Sequence, residues 1–246
     1  TYKYTNPLLP DDVNEIYIQK VTLNGEPLWG EMGINISIVN YCPYILSPSN
    51  YGGAYVTYVR GYNEPKLYGW NFDAQGNNLW QSEFVFELQL PNMLYLANVV
   101  SDGDGNIIVN LWIRPDSQSN LYSHLVKISP QGNIIGNNPM ISQSQFSGCY
   151  KILSDQNSNY ILWKSHLPNI TFQKMDASGN LLFSEPISYQ HNDNVSEIRA
   201  FDSSPDGGLY YFLNREYPLL PMVNKLNANL QLSWTAPVEL PFYWNS

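Results

Sequence analysis

Alanine is scarce in this sequence, with seven in 246 residues, and cysteine stops at two. Basic residues are few as well: twelve Lys and Arg face 21 Asp and Glu, for a net charge of −9. Each shortage removes a class of protein. Little Ala beside 16 Gly, 17 Pro, 29 Asn and 19 Tyr argues against a helical bundle or a doubly wound α/β fold. A negative chain without a basic run argues against nucleic acid and anionic membrane surfaces as partners. Cys42 and Cys149 are too few for a disulfide framework or a zinc site, and they leave the redox compartment open. The stretch from Pro130 to Tyr150 carries no charge but is full of Gln, Asn, Ser and Gly, so it reads as loop and strand and no membrane insertion is expected. The sequence opens on Thr1 with no charged-then-apolar leader and reads as a mature form or an excised piece.

What is present is a core's worth of apolar residues, 43% with 14% aromatic, which argues against disorder. Only 13% of residues are charged, so the surface polarity comes from Asn, Ser, Tyr and Gln, as is common outside cells. The apolar residues are organised by a repeat. KVTLNGEPLW from Lys20 returns as NFDAQGNNLW from Asn71, KISPQGNIIG from Lys127, KMDASGNLLF from Lys174 and KLNANLQLSW from Lys225. The intervals are 51, 56, 47 and 51 residues. Each copy reads as a β-hairpin, with Gly25, Gly76, Gly132 and Gly179 where a tight turn needs positive φ. The last copy has Leu230 there, so a different turn, or Asn229 in the left-handed region, is expected.

A second hairpin precedes the first in each period. Examples are Tyr44–Ser47 with Ala54–Val59, Ala97–Ser101 with Asn106–Ile113, and Ile198–Asp202 with Leu209–Leu213. Four short strands, A to D, in about 40–50 residues is the signature of a propeller blade. The expected fold is therefore all-β, a single β-propeller domain over residues 1–246 with five four-stranded blades, or a fragment of a larger propeller. Residues 1–6 read as a B strand whose A strand is missing. The tail from Pro237 to Ser246 would close a ring if it supplied that strand, although only twelve residues follow Trp234.

Three motifs add a resemblance. Gly52-Gly53-Ala54-Tyr55-Val56-Thr57-Tyr58, Glu15-Ile16-Tyr17-Ile18-Gln19-Lys20 and Gly25-Glu26-Pro27-Leu28-Trp29-Gly30 resemble the GGA-apolar-VAW, DIYAQK and GN-apolar-LWG motifs of secreted bacterial repeat proteins of the Bacteroidota type. That resemblance implies export to the medium or cell surface, a propeller, and frequently a larger parent chain. Its motifs are turn and core residues, and Tyr58 stands where the family usually has Trp.

Catalytic patterns are thin. There is no G-x-S-x-G, and His124, His166 and His191 fall in different blades, so no nucleophile triad is assembled. Glycoside hydrolysis needs two carboxyls flanking the bond. In the propeller hydrolases they sit at the entry of inner strands, where this sequence has Cys42, Leu96, Cys149 and Glu197. Asp102, Asp155 and Asp202 recur at the other end of strand A, where Asp shapes a turn. Asp102-Gly103-Asp104-Gly105-Asn106 resembles the front of a calcium loop, but Ile107 and Ile113 stand where that loop needs Gly and Glu, so no metal or cofactor is expected. Cys42 and Cys149 should occupy matching inner-strand positions as separate thiols. The sequons at Asn35, Asn169 and Asn194 carry no weight in a bacterial protein.

Aromatics remain. Trp29, Trp80, Phe183 and Trp234 recur at one repeat position and should pack between blades. Tyr41, Tyr62, Phe146, Tyr189 and Tyr217, with His166 and His191, fall in the D–A and B–C connections, which share one face. Variable loops on a rigid scaffold are where recognition resides. The expectation is an extracellular binding module for a glycan or a protein, acting through that face, alone or within a larger complex. A glycoside-acting enzyme and a structural blade array in a larger surface protein are the alternatives.

Overall fold

A computed structural model of the chain describes residues 2–4, 13–36, 38–39, 44–60, 66–80, 83–86, 93–114, 122–135, 151–155, 159–166, 169–191, 195–215 and 221–240. Among them there are twenty strands and no helix. Sheet I holds β1 (Tyr2–Tyr4), β2 (Val13–Ile18), β3 (Ile34–Asn35) and β4 (Ile38–Val39). Sheet II holds β5 (Tyr44–Pro48), β6 (Ala54–Arg60), β7 (Lys66–Phe72) and β8 (Phe84–Phe86). Sheet III runs through β9 (Met93–Ser101), β10 (Ile107–Arg114), β11 (Tyr122–Ile128) and β12 (Ile134–Ile135). Sheet IV has β13 (Lys151–Ser154), β14 (Tyr160–His166), β15 (Asn169–Met175) and β16 (Ile187–Gln190). Sheet V has β17 (Val195–Ser203), β18 (Leu209–Arg215), β19 (Pro221–Leu226) and β20 (Val238–Glu239).

Sheets II to V are four-strand meanders in chain order, the A-B-C-D pattern that the repeat predicts. Sheet I is narrower. Both β3 and β4 pair β2, so the order is β1, β2 and one interrupted third strand, which matches a blade entered at strand B. The tail does not supply the missing strand over its first residues. Val238–Glu239 pairs with β19 as the outer strand of sheet V, held further by the amide of Leu240 donating to Pro221. Residues 241–246 lie outside the described residues.

The chain divides into two compact units. One comprises Thr1–Ser101, Gly105–Leu121 and Val126–Asn137; the other comprises Asp102–Asp104, Tyr122–Leu125 and Asn138–Ser246. In the first, Ile16, Ile18 and Trp29 of sheet I bury against Val56, Tyr58 and Phe72 of sheet II. In the second, Ile170 and Phe172 of sheet IV bury against Leu209, Tyr211 and Leu213 of sheet V.

The repeated segment closes as expected and then departs from a plain hairpin. In sheet II the Asp73 amide donates to Asn77 and the Gly76 amide to Asp73. Asp73 Oδ1 accepts the amides of Gln75 and Asn77. Sheet IV repeats this geometry with Asp176, Ser178 and Asn180. In sheets I, II, IV and V the chain leaves the ladder after one bridge (Val21 to Pro27, Phe72 to Asn78, Met175 to Leu181, Leu226 to Leu232) and strand D starts several residues later, whereas in sheet III β12 pairs with β11 directly after the turn. In sheets I and IV a glutamine replaces the ladder at that point. Gln19 accepts the Trp29 amide at 2.9 Å and donates to the Gly30 carbonyl at 2.6 Å, and Gln173 donates to the Phe183 carbonyl at 2.9 Å.

Leu230 corrects the expectation for the last turn. Its own φ is +58°, the only positive value at a non-glycine among the described residues, and the turn keeps the usual hydrogen bonds. Leu230 tolerates this conformation because its side chain is fully buried in the core between sheets IV and V. Asp202 is a second correction. It lies inside β17 opposite Tyr210, and Ser204 starts the A–B turn in its place.

Candidate functional site

A groove of about 270 Å³ lies where the C–D hairpin of sheet I meets strand A and the A–B turn of sheet II. Ile18, Trp29, Leu46, Pro48 and Ala54 make its apolar walls, and Gln19, Lys20 and Ser47 add polar atoms. Local sequence explains its shape. A Cβ on Gly53 would sit 1.9 Å from the Phe72 carbonyl oxygen, so only glycine lets the A–B turn close onto strand C. Lys20 Nζ donates to the Gly52 carbonyl at 2.6 Å and ties sheet I to that turn. The Trp29 indole N–H donates to the Ala74 carbonyl at 3.1 Å, so the wall is fixed to the next C–D turn. Trp80 repeats the bond to Pro130 at 2.8 Å.

Val21, Leu23, Leu28 and Met32 of the sheet I hairpin are all exposed, as is Leu46 in the wall of the groove. The other C–D hairpins expose only one or two large apolar side chains each among the described residues. Among the described residues no acid lines the groove, and Lys20 is the only charged one that does.

Several of the described carboxylates are committed to the scaffold. Asp73 and Asp176 cap turns, and hydrogen bonds from the Asn77 and Asn180 side chains hold both below the ordinary carboxylate range. Asp102 accepts from the Tyr160 hydroxyl at 2.8 Å and from the Asp104 amide at 3.0 Å. The Asp155 and Lys174 side chains form a buried ion pair at 2.8 Å. Asp206 pairs with Lys225 at 2.7 Å and is pulled down to about 2, chiefly by that bond. Glu83 accepts from the Tyr58 hydroxyl, and burial together with that bond raises the Tyr58 pKa well above its usual value.

Of the loop residues singled out from sequence, Tyr41, Tyr62, Phe146 and Tyr217 lie outside the described residues, as do Cys42 and Cys149. His166 is the last residue of β14, opposite Asn169. Tyr189 and His191 come together at the junction of sheets IV and V, in packing positions. Tyr189 lies in β16 rather than a loop, and its hydroxyl donates to the Leu230 carbonyl at 2.5 Å. The His191 ring meets Tyr211 edge-on with centroids 5.8 Å apart, and burial lowers its pKa. Its Nε2 is buried with no hydrogen-bond partner. Sequence reasoning missed Gln19, Lys20 and Leu46. The recurring Gln-Lys pair of IYIQK and TFQK was the available signal.

No protein-family model matches the sequence, and no curated protein matches it. Solved structures do. An endo-arabinase from Bacteroides thetaiotaomicron VPI-5482 has a TM-score of 0.50 at 10% identity, over 82% of this chain and 80% of its own. A mutant of the Synechocystis apocarotenoid oxygenase gives 0.51 at 12%, and a chimera of that oxygenase with RPE65 gives 0.52 at 13%. Each of these two is matched over 94% of this chain and 56% of its own length, so the chain spans little more than half of them. At such identities the likeness shows the fold alone: the protein is a β-propeller with blade-like sheets.

Proposed function

We propose that the chain is an extracellular recognition module whose partner is a protein, bound at the groove between sheets I and II. The observation that carries this reading is the exposed apolar set of the sheet I hairpin, Val21, Leu23, Leu28 and Met32, on the element that also forms one wall of the groove. Exposed apolar surface on a rigid scaffold marks interaction sites. A sugar site would be expected to present an open aromatic face, whereas Trp29 is only 8% exposed. The commitment of Asp73, Asp102, Asp155, Asp176 and Asp206 to turns and ion pairs supports binding over carboxylate-pair hydrolysis.

The test is selection of binders from a displayed peptide library, alongside a glycan array that includes an arabinan, the polymer class in the name of the endo-arabinase. Peptide binders should weaken about tenfold on Leu46→Glu and remain unchanged on Tyr62→Ala and Tyr217→Ala. Glycan binding that survives Leu46→Glu and falls with the tyrosine variants would move the site to the opposite loops.

A further inference from the structure

The groove between sheets I and II sets one ammonium, that of Lys20, in apolar surroundings. Ile18, Trp29, Leu46 and Pro48 form walls beside it, and among the described residues no carboxylate lines the space. The ammonium is held in place. It donates to the Gly52 carbonyl at 2.6 Å, and a Cβ on Gly52 would lie 3.8 Å from Nζ. An ammonium has three N–H donors, and Gly52 takes one of them.

The same repeat position in sheet IV shows what such a group accepts. Lys174 donates to the carbonyls of Gly207 and Ala228 at 3.2 Å and holds the Asp155 carboxylate at 2.8 Å. Carbonyls and one carboxylate together satisfy that ammonium, whose side chain is 7% exposed. Lys20 has a carbonyl of this kind, with the groove beside it.

Size restricts the occupant. Small-molecule sites take up about 300–1,000 Å³, and a groove of about 270 Å³ has room for roughly one large residue, not for a helix. A C-terminal residue carries its carboxylate and its side chain on one Cα, so a single residue meets both the ammonium and the apolar walls. An Asp or Glu would fill the space with its own stem and leave the walls without an apolar partner. The net charge of −9 opposes acidic ligands in general, which favours one carboxylate placed on the ammonium over an acidic tract.

We propose that the groove captures the C-terminus of a partner protein, with an apolar final residue against Leu46 and Trp29 and its α-carboxylate on the Lys20 ammonium. Charge-assisted hydrogen bonds to the carboxylate fix the end of the partner chain, and the walls select its last side chain. The inference rests on the reading above that this groove binds a protein, and adds which part of the partner enters it.

The probe is an array of synthetic peptides of mixed sequence, with every residue type at the last position, each made as the free C-terminal acid and as the C-terminal amide. A further set carries an internal Glu and an amidated end. Free acids ending in Leu, Ile, Val or Phe should bind the whole protein, and their amides at least about tenfold more weakly by fluorescence polarisation. Lys20→Gln should shrink that acid-to-amide difference to within about twofold. Should the variant fail to fold, the acid-to-amide comparison on the parent protein decides alone. The proposal is overturned if no free acid binds, if amides bind as well as acids, if Lys20→Gln leaves the difference intact, or if the internal Glu set binds best. Acids and amides that bind alike and both weaken with Leu46→Glu would remove this inference and keep the groove as a protein site. Glycan binding with neither peptide set bound would remove both.

Discussion

At the scale of single residues, Leu230 sets two effects against each other. Left-handed φ costs a branched side chain roughly 1–2 kcal/mol, and burying a leucine in a close-packed core is worth roughly 2–5 kcal/mol. Burial wins. Leu230→Gly should therefore destabilise the protein by about 2 kcal/mol although glycine suits the turn, read as a lower urea midpoint with unchanged slope. The turn acids make a second prediction. Asp73 and Asp176 titrate below their unfolded value of about 3.9, held there mainly by the Asn77 and Asn180 amides. Their stabilisation is complete above about pH 4 and is lost as pH falls through the lower folded pKa. For Asp206 that loss extends to about pH 2. The double variant Asp73→Asn, Asp176→Asn should lose less stability than the parent between pH 5 and pH 3 in parallel denaturant titrations.

Elements are joined by donors that recur. Trp29→Phe removes one indole bond to Ala74 and keeps most of the packing, so a loss of about 1 kcal/mol is expected in chemical unfolding. The Lys174–Asp155 pair has more at stake, because its side chains are 7% and 0% exposed. Lys174→Met strands a buried carboxylate and should cost about 3–5 kcal/mol. Adding Asp155→Ala should recover part of that loss, giving a positive coupling in a double-mutant cycle. Much at this scale was legible beforehand. The repeat placed the hairpins and the sheet order because turn glycines and alternating strands impose local constraints that one sequence displays. The departure after each bridge was not legible. Gln19 and Gln173 act on backbone groups ten or eleven residues away, and a glutamine in a strand carries no mark of that reach.

For the whole molecule, pH is again the informative variable. Burial lowers the pKa of both His124 and His191, so each resists protonation in the folded state more than in the unfolded one. Their contribution is full above about pH 6.5 and declines as pH falls below it. Stability measured by urea at pH 7.5 and 5.5 should drop toward the acid side, and His191→Asn should flatten the trend. The candidate site shows the limit of sequence reading most clearly. Tyr189 reads as a loop aromatic, yet its ladder partner Ile170 fixes it in a strand and its hydroxyl is used by Leu230. Leu46 reads as an ordinary strand residue. It counts only because sheet I leaves it uncovered, at 38% exposed, a property of neighbours distant in sequence.

The donors that bind one sheet to the next, Trp29 and Trp80 through their indoles and Lys20 and Lys174 through their ammoniums, all end on main-chain carbonyls. A carbonyl is offered by every residue type, so the receiving turn is free to drift in sequence without weakening the joint. Ala74 and Pro130 hold equivalent posts with unrelated side chains. Sheet II keeps the indole without the lysine and sheet IV the lysine without the indole, so duplicated blades could diverge at the receiving turn while retaining either donor.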